Sequence, residues 1–264
     1  MNYENYKAMA FRHDGRVLHV TFNRPETLNA FDAELHGEFD RFVQEVPRDE
    51  AAHVIVLSGA GKAFSAGGDI DHMQELIDVP TGIYGEIAAG KRLITAFLDI
   101  PQPIIAKING AAIGLGATIA LFCDISFAAG HAKIADPHVK VGYVAGDGGA
   151  VIWPQLIGYA RAKQYLLTGD ALTGDEAAKI GLVNFACPAA ELDAAVDAFA
   201  QRLAGGARRA VQWTKATINT GLKQIAANVL ETGAAYEMLS NQTRDHAEAV
   251  DAFRAKRPPA FNGD

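Results

Sequence analysis

The chain carries 264 residues, with 31 acidic side chains against 24 lysines and arginines and a formal net charge of −7. That balance argues against a nucleic-acid surface, and 49% apolar with 21% charged residues argues against disorder. Two cysteines, Cys123 and Cys187, support neither a disulfide framework nor a zinc cluster, so both are expected to pack in the core; no apolar run reaches the length of a membrane span.

Met1 to Tyr6 shows no basic segment leading into an apolar stretch, so no signal peptide and a cytoplasmic location are expected. Val17–Phe22 then reads as a strand, apolar at alternate positions and more. Asp32 can cap a helix in which Leu35, Phe39, Phe42, Val43 and Val46 share one face. Val54–Leu57 is a buried strand by its unbroken apolar run, and a helix follows Asp69. Segments such as Asp78 to Gly90 follow no readable rule and are expected as loops. Ile104–Ile108 is a strand entered through Pro101 and Pro103, and Ile125–Ala129 is another. Thr173-Gly174-Asp175-Glu176 is a capping box, and Gly181 ends the short helix it opens. From about Ala189 the strand signals stop and the pattern is helical. Strands alternating with helices indicate an α/β core over residues 1–188, with a helical region over 189–264.

Two segments stand out. Ala63-Phe64-Ser65-Ala66-Gly67-Gly68-Asp69-Ile70 follows the strand Val54–Leu57 and the turn Ser58–Gly61. A strand running through small residues into a helix start leaves backbone N–H groups unpaired and lets a ligand approach them closely. Ile104–Ile108 followed by Asn109-Gly110-Ala111-Ala112-Ile113-Gly114-Leu115-Gly116 repeats the pattern. Either segment alone also reads as a tight turn, but together they can supply two converging donors to an oxyanion.

In this order the motifs resemble the enoyl-CoA hydratase/isomerase (crotonase) superfamily over nearly the whole chain. Phe22-Asn23-Arg24-Pro25 with Leu28-Asn29-Ala30-Phe31 resembles its opening signature, and the two segments above resemble its two oxyanion-hole loops. Leu167-Thr168-Gly169, Gly181-Leu182-Val183 and the tail from Phe253 to Phe261 resemble its later blocks. The resemblance implies a spiral of ββα units with C-terminal helices that mediate trimer formation, as a homotrimer or a dimer of trimers. It implies an acyl-CoA thioester as substrate, coenzyme A entering as part of that substrate, and no metal or separate cofactor. It places the oxyanion donors at Ala66 and Leu115. Substrate contacts fall at Ala63, Gly67, Gly68, Asp69, Ile70, Gly116 and Thr118, with cations beside the ligand at Arg24 and Lys62. Phe253 and Lys256 resemble tail residues that reach a neighbouring subunit's adenine site. Read alone, Asp69 is a helix N-cap, and Lys62 and Lys256 are solvated charges.

The resemblance also marks a departure. Family hydratases carry two glutamates, and the matching positions here are Thr118, read as pocket wall, and His138. Hydration by a glutamate pair is therefore not expected. In their place stand His138 and Asp147, the latter in the small-residue stretch Val141 to Gly149. The family's β-diketone hydrolases use a histidine and an aspartate with this local spacing, which implies His138 as a base oriented by Asp147. Read alone, His138 is a loop histidine after Asp136-Pro137 and Asp147 a turn aspartate. Glu237 or Glu231 matches the C-terminal glutamate of that hydrolase type, whereas a further histidine of that type falls at Leu115. His72 and His131 read as surface residues. Three functions stay open: an acyl-CoA enzyme that stabilises a thioester enolate, a C–C hydrolase of a β-diketone, and a non-catalytic CoA-binding protein.

Overall fold

The computed structural model describes residues 3–79 and 81–264; Met1, Asn2 and Pro80 lie outside them. Met9–Asp14 (β1) and Val17–Phe22 (β2) form an antiparallel hairpin whose turn uses Gly15 at φ +57°. β2 then pairs in parallel with Val54–Gly59 (β3), and the sheet continues through Ile104–Ile108 (β5), Ile125–Ala129 (β7) and Phe185–Cys187 (β10). The central strands read as unbroken apolar runs because a parallel sheet is covered on both faces. A second sheet orders Ala63–Ser65 (β4), Ala111–Ile113 (β6), Lys133–Ala135 (β8) and Leu172–Thr173 (β9).

The chain alternates between the sheets, β3 then β4, β5 then β6, β7 then β8, and a helix follows each pair. After β4 come Ile70–Asp78 (α2) and Gly82–Asp99 (α3), after β6 comes Leu115–Phe122 (α4), and after β8 comes Gly149–Thr168 (α5), which kinks at Gly158. This is the expected spiral of ββα units. Ala33–Glu45 (α1) precedes β3, and Gly174–Ile180 (α6) precedes β10. Ala189–Ala204 (α7), Arg208–Ser240 (α8) and Arg244–Arg254 (α9) form the expected helical C-terminal region. The stretch Asp78 to Gly90 is not a loop throughout, because α3 begins at Gly82 and buries Ile83, Leu93, Ile94, Phe97 and Leu98.

Local chemistry fixes the elements that carry the site. Asp32 caps α1 by accepting the Leu35 N–H at 3.0 Å, which turns Leu35, Phe39, Phe42 and Val43 into the core. Phe22, Phe31, Phe39 and Phe64 meet edge to face at centroid distances between 5.2 and 5.8 Å. Each such pair contributes about 0.5–1.5 kcal/mol beyond area burial, enough to hold Phe31 as a fixed wall. Helix α8 is anchored in its first half by Asn219 Nδ2, which donates to the Leu98 carbonyl at 3.0 Å, and by Lys215 Nζ, 2.6 Å from Asp124 Oδ2. Near its end the Val144 N–H donates to Ser240 Oγ at 3.2 Å. Cys123 is buried and Cys187 half-buried, both as free thiols. Among the described residues, no helix is long and apolar enough to cross a membrane.

Candidate active site

Asn29 organises the first loop. Fully buried and at φ +58°, it donates from Nδ2 to the carbonyls of Ala60 (3.0 Å) and Ala63 (2.9 Å) and accepts the Arg24 N–H at 2.9 Å. The neighbouring backbone is sewn to the loop: Ala66 N–H donates to the Leu28 carbonyl at 3.0 Å, Phe31 N–H to the Gly67 carbonyl at 2.7 Å, and Asp69 N–H to the Phe31 carbonyl at 3.1 Å. The Ala66 N–H is therefore already spent, and Ala66 does not line the cavity described below. This corrects the expected donor. Gly68, two residues on, does line the cavity, and its N–H has no partner among the described residues. Leu115 also lines it and is the first residue of α4, so its N–H has no intrahelical acceptor. The two loops touch at Gly67, φ +90°, where a Cβ would sit 2.6 Å from the Ile113 carbonyl oxygen.

Gly68 and Leu115 open onto a cavity of about 370 Å³, which His138, Tyr143, Asp147 and Glu237 also line. His138 opens a short 3-10 turn, His138–Val141, directly after β8. Its Nδ1 bonds the carboxylate of Asp136, and its Nε2 lies 3.6 Å from Asp147 Oδ2. Asp147 is held further by the Thr118 hydroxyl, which donates at 3.2 Å to Oδ1, and by the Gly149 N–H at 3.2 Å. Glu237 arrives from α8. Its helix packs so close to Gly146 that a Cβ there would sit 2.6 Å from the Gly233 carbonyl oxygen and 2.5 Å from Glu237 Oε2, and the backbone contact explains the glycine beside Asp147.

The expected pair, His138 and Asp147, is thus brought into one cavity with Gly68 and Leu115. The internal order differs from the expected one: Asp136, overlooked in the sequence because it lies two residues from His138, takes the orienting position. Thr118 is more than pocket wall, since its hydroxyl donates to the Asp147 carboxyl.

Three carboxyls around one imidazole set the charge state. Burial disfavours the charged ring, but Asp136 and Asp147 outweigh it and push His138 up to about 10. Burial, reinforced by Asp136, raises Asp147, and the His138 charge and two donors only partly offset this. Burial, then Asp147 and Asp136, pushes Glu237 up to about 8, so it is mostly a neutral acid at pH 7. Asp136, His138 and Asp147 each bring one donor atom within 4.8 Å of the others. The two carboxylates engage opposite nitrogens of one ring, an arrangement that suits proton transfer better than a shared ion.

The other expected residues divide. Asp69 caps α2, accepting the Asp71 and His72 N–H groups at 2.9 and 3.1 Å, and it lines the cavity. Ile70 begins that helix, Ala63 is buried and accepts from Asn29, and Gly116 is buried in α4. Arg24 is not free beside a ligand: it pairs with Asp32, with Glu34 at 3.5 Å and with Glu26 at 3.9 Å. Lys62 is exposed, as are Phe253 and Lys256, all three outside the cavity lining. Glu231 pairs with Lys91 at the surface, which leaves Glu237 as the C-terminal glutamate of the site. His131 is exposed as expected, but His72 is not a surface residue: it is half-buried, paired with two glutamates, and lines the cavity.

Known proteins resemble this chain over most of its length. The sequence profile of the family "Enoyl-CoA hydratase/isomerase" matches residues 12–264. A short-chain-enoyl-CoA hydratase of Clostridium acetobutylicum is 34% identical over 247 residues, 92% of this chain and 93% of that protein. A 1,2-epoxyphenylacetyl-CoA isomerase of Escherichia coli is 32% identical over 252 residues, 94% of this chain and 95% of that protein. The crystal structure of an enoyl-CoA hydratase/isomerase from Mycobacterium paratuberculosis superposes with a TM-score of 0.90 at 33% identity, covering 94% of this chain and 99% of that one. Fold, loops and sequence together make the chain a member of the enoyl-CoA hydratase/isomerase family.

Proposed function

We propose that this protein binds an acyl-CoA thioester and moves a proton between carbons of its acyl group, an isomerisation through a thioester enolate. Asp147, as carboxylate, takes a proton from the carbon that shares its electrons with the thioester. The enolate oxygen accepts from the N–H groups of Gly68 and Leu115, the latter at the positive end of a helix. Asp147 then returns the proton to another carbon of the same conjugated system, so no water is consumed. Asp136 holds the His138 ring, and the charged ring with Thr118 keeps Asp147 in place between the two transfers. The neutral carboxylic acid of Glu237 stands as a second proton source. Coenzyme A is part of the substrate, and no other cofactor enters. The exposed Trp213, Tyr236 and Leu239 of α8 suit burial in a homotrimer.

The observation that carries this reading is the Asp147 carboxyl, bonded by Thr118 and 3.6 Å from His138 Nε2, in the cavity that also holds the two backbone donors. A β-diketone hydrolase would need His138 as a free base, and Asp136 and Asp147 both favour the charged ring. The test is a panel of acyl-CoA thioesters. A 3-enoyl-CoA should be isomerised to its conjugated 2-enoyl form, with hydration of crotonyl-CoA slower by about a hundredfold or more. Asp147→Asn should lower kcat by about 10²–10⁴ while a saturated acyl-CoA still binds. Fast hydration, or full activity in Asp147→Asn, overturns the reading.

A further inference from the structure

The cavity holds a second polar group, built by residues that the proton transfer does not use. Away from Asp147 its walls are apolar, with Phe31, Met73, Leu76, Ile83 and Ile87 among them. Set into these walls are His36 of α1, His72 of α2 and Glu86 of α3. His72 is fully engaged, Nδ1 3.3 Å from Glu75 Oε2 and Nε2 3.2 Å from Glu86 Oε1. The bond to Glu86, aided by Glu75, outweighs burial and pushes His72 up to about 9, and the same bond lowers Glu86. The two persist as an ion pair across the neutral range. His36 differs. Its ring stands edge-on to Phe31 at 5.2 Å and 6.2 Å from the His72 ring, and no polar group among the described residues bonds either of its nitrogens. Burial lowers its pKa, so it presents one donor and one acceptor.

We infer that the acyl group of the substrate carries a hydroxyl, held between the His36 imidazole and the Glu86 carboxylate. This rests on the acyl-CoA reading above. A hydroxyl offers one donor and two acceptor sites, which matches a neutral imidazole beside a carboxylate whose second oxygen is not taken by His72. A plain hydrocarbon would leave the His36 nitrogens without a partner and cover the Glu86 oxygen that His72 does not take. A carboxylate or the phosphates of coenzyme A would meet the Glu86 carboxylate beside His36, with Asp40 also in the lining, while the cations there, His72 and Lys91, are each already paired with a glutamate. His36 is thus a specificity-determining residue that takes no part in the proton transfer.

The test uses the full chain and a ladder of 3-enoyl-CoA thioesters, each chain length supplied plain and with a terminal hydroxyl. At one length the hydroxylated member should show kcat/KM about tenfold or more above its plain partner, since a site built for a hydroxyl rejects the analogue lacking it. His36→Leu should remove that advantage and leave the plain compound within about threefold of wild type, whereas His36→Asn, still able to hydrogen-bond, should retain part of it. No preference at any length overturns the inference. So does an equal loss on both members in His36→Leu, which would mark His36 as structural or as a contact to the pantetheine amides. Should no thioester of either kind react, the isomerase reading has failed on its own. Calorimetric binding of saturated thioesters with and without the hydroxyl then decides the inference, and equal affinities overturn it.

Discussion

The two halves of the cavity are made of different material. The half that would hold a developing negative charge is backbone: the N–H groups of Gly68 and Leu115, fixed by Asn29, by the Phe31 pairing and by the contact of Gly67 with Ile113. The half that would move protons is side chain. Asp136 and His138 follow β8, Asp147 comes from the loop before α5, Thr118 from α4 and Glu237 from α8. A backbone donor survives almost any exchange of its own side chain, so Leu115 serves there as well as a smaller residue. A carboxyl does not survive exchange. On the proposed reading the second half sets the reaction, while the first half sets only that an acyl thioester can be activated.

That contrast can be broken at Leu115. Proline suits the first residue of a helix, where its missing N–H has no partner to lose, and Gly114 before it tolerates the required backbone. Leu115→Pro should keep its fold by circular dichroism and lose about 10²–10³ in kcat, while Leu115→Ala stays within a few-fold. Equal losses in both would mean that the leucine side chain, not the N–H, is what matters.

The acid side can be sharpened through Glu237. Its pKa is raised in the folded chain, from the usual carboxylate range to about 8. A raised group favours the fold at pH below its unfolded value, and that contribution drains away as pH climbs through the folded value. Between about pH 5 and about pH 8 the thermal midpoint of wild type should therefore fall relative to that of Glu237→Gln, and above that window the gap should stay constant. Parallel midpoints across the window would show that Glu237 is ordinarily ionised and not a neutral acid beside Asp147. The smallest effect belongs to the loop edge. Asp69→Ala removes the α2 cap, at a cost of about 1 kcal/mol in chemical denaturation, with kcat little changed.

The same contrast governs what could be read from sequence. Val17–Phe22, Ile104–Ile108 and Ile125–Ala129 are found at the expected limits because each is a mainly apolar segment bounded by turn residues. The second sheet was not legible. β4, β6 and β8 have three residues and β9 has two, too short for any periodicity to register. α3 does carry apolar residues at helical spacing, but Gly82, Gly85 and Gly90 imitate a loop. At the site, Asp147 was visible as an acid in a small-residue stretch, and His138 through the family resemblance, at the position of a hydratase glutamate. Asp136 was not, because only the turn after Pro137 brings its carboxylate back onto the ring. Ala66 was misread as the donor because sequence alone does not say which N–H groups of a small-residue loop are consumed by the neighbouring chain.

Helix α8 has one consequence for how the molecule moves. It is pinned at Asn219 and carries Glu237 roughly 27 Å further along its axis. Pivoting there by about two degrees carries Glu237 through about 1 Å, a displacement on the scale that can change a rate by about a hundredfold. The loop that bears Asp147 rides on the same end of the helix, with Gly146 packed on Gly233 and the Val144 N–H on Ser240. Both carboxyls would travel together, keeping their mutual geometry while shifting against the rigid pair of backbone donors. A contact that tilts α8 therefore acts on the alignment of the two halves most strongly at the Glu237 end, farthest from Asn219.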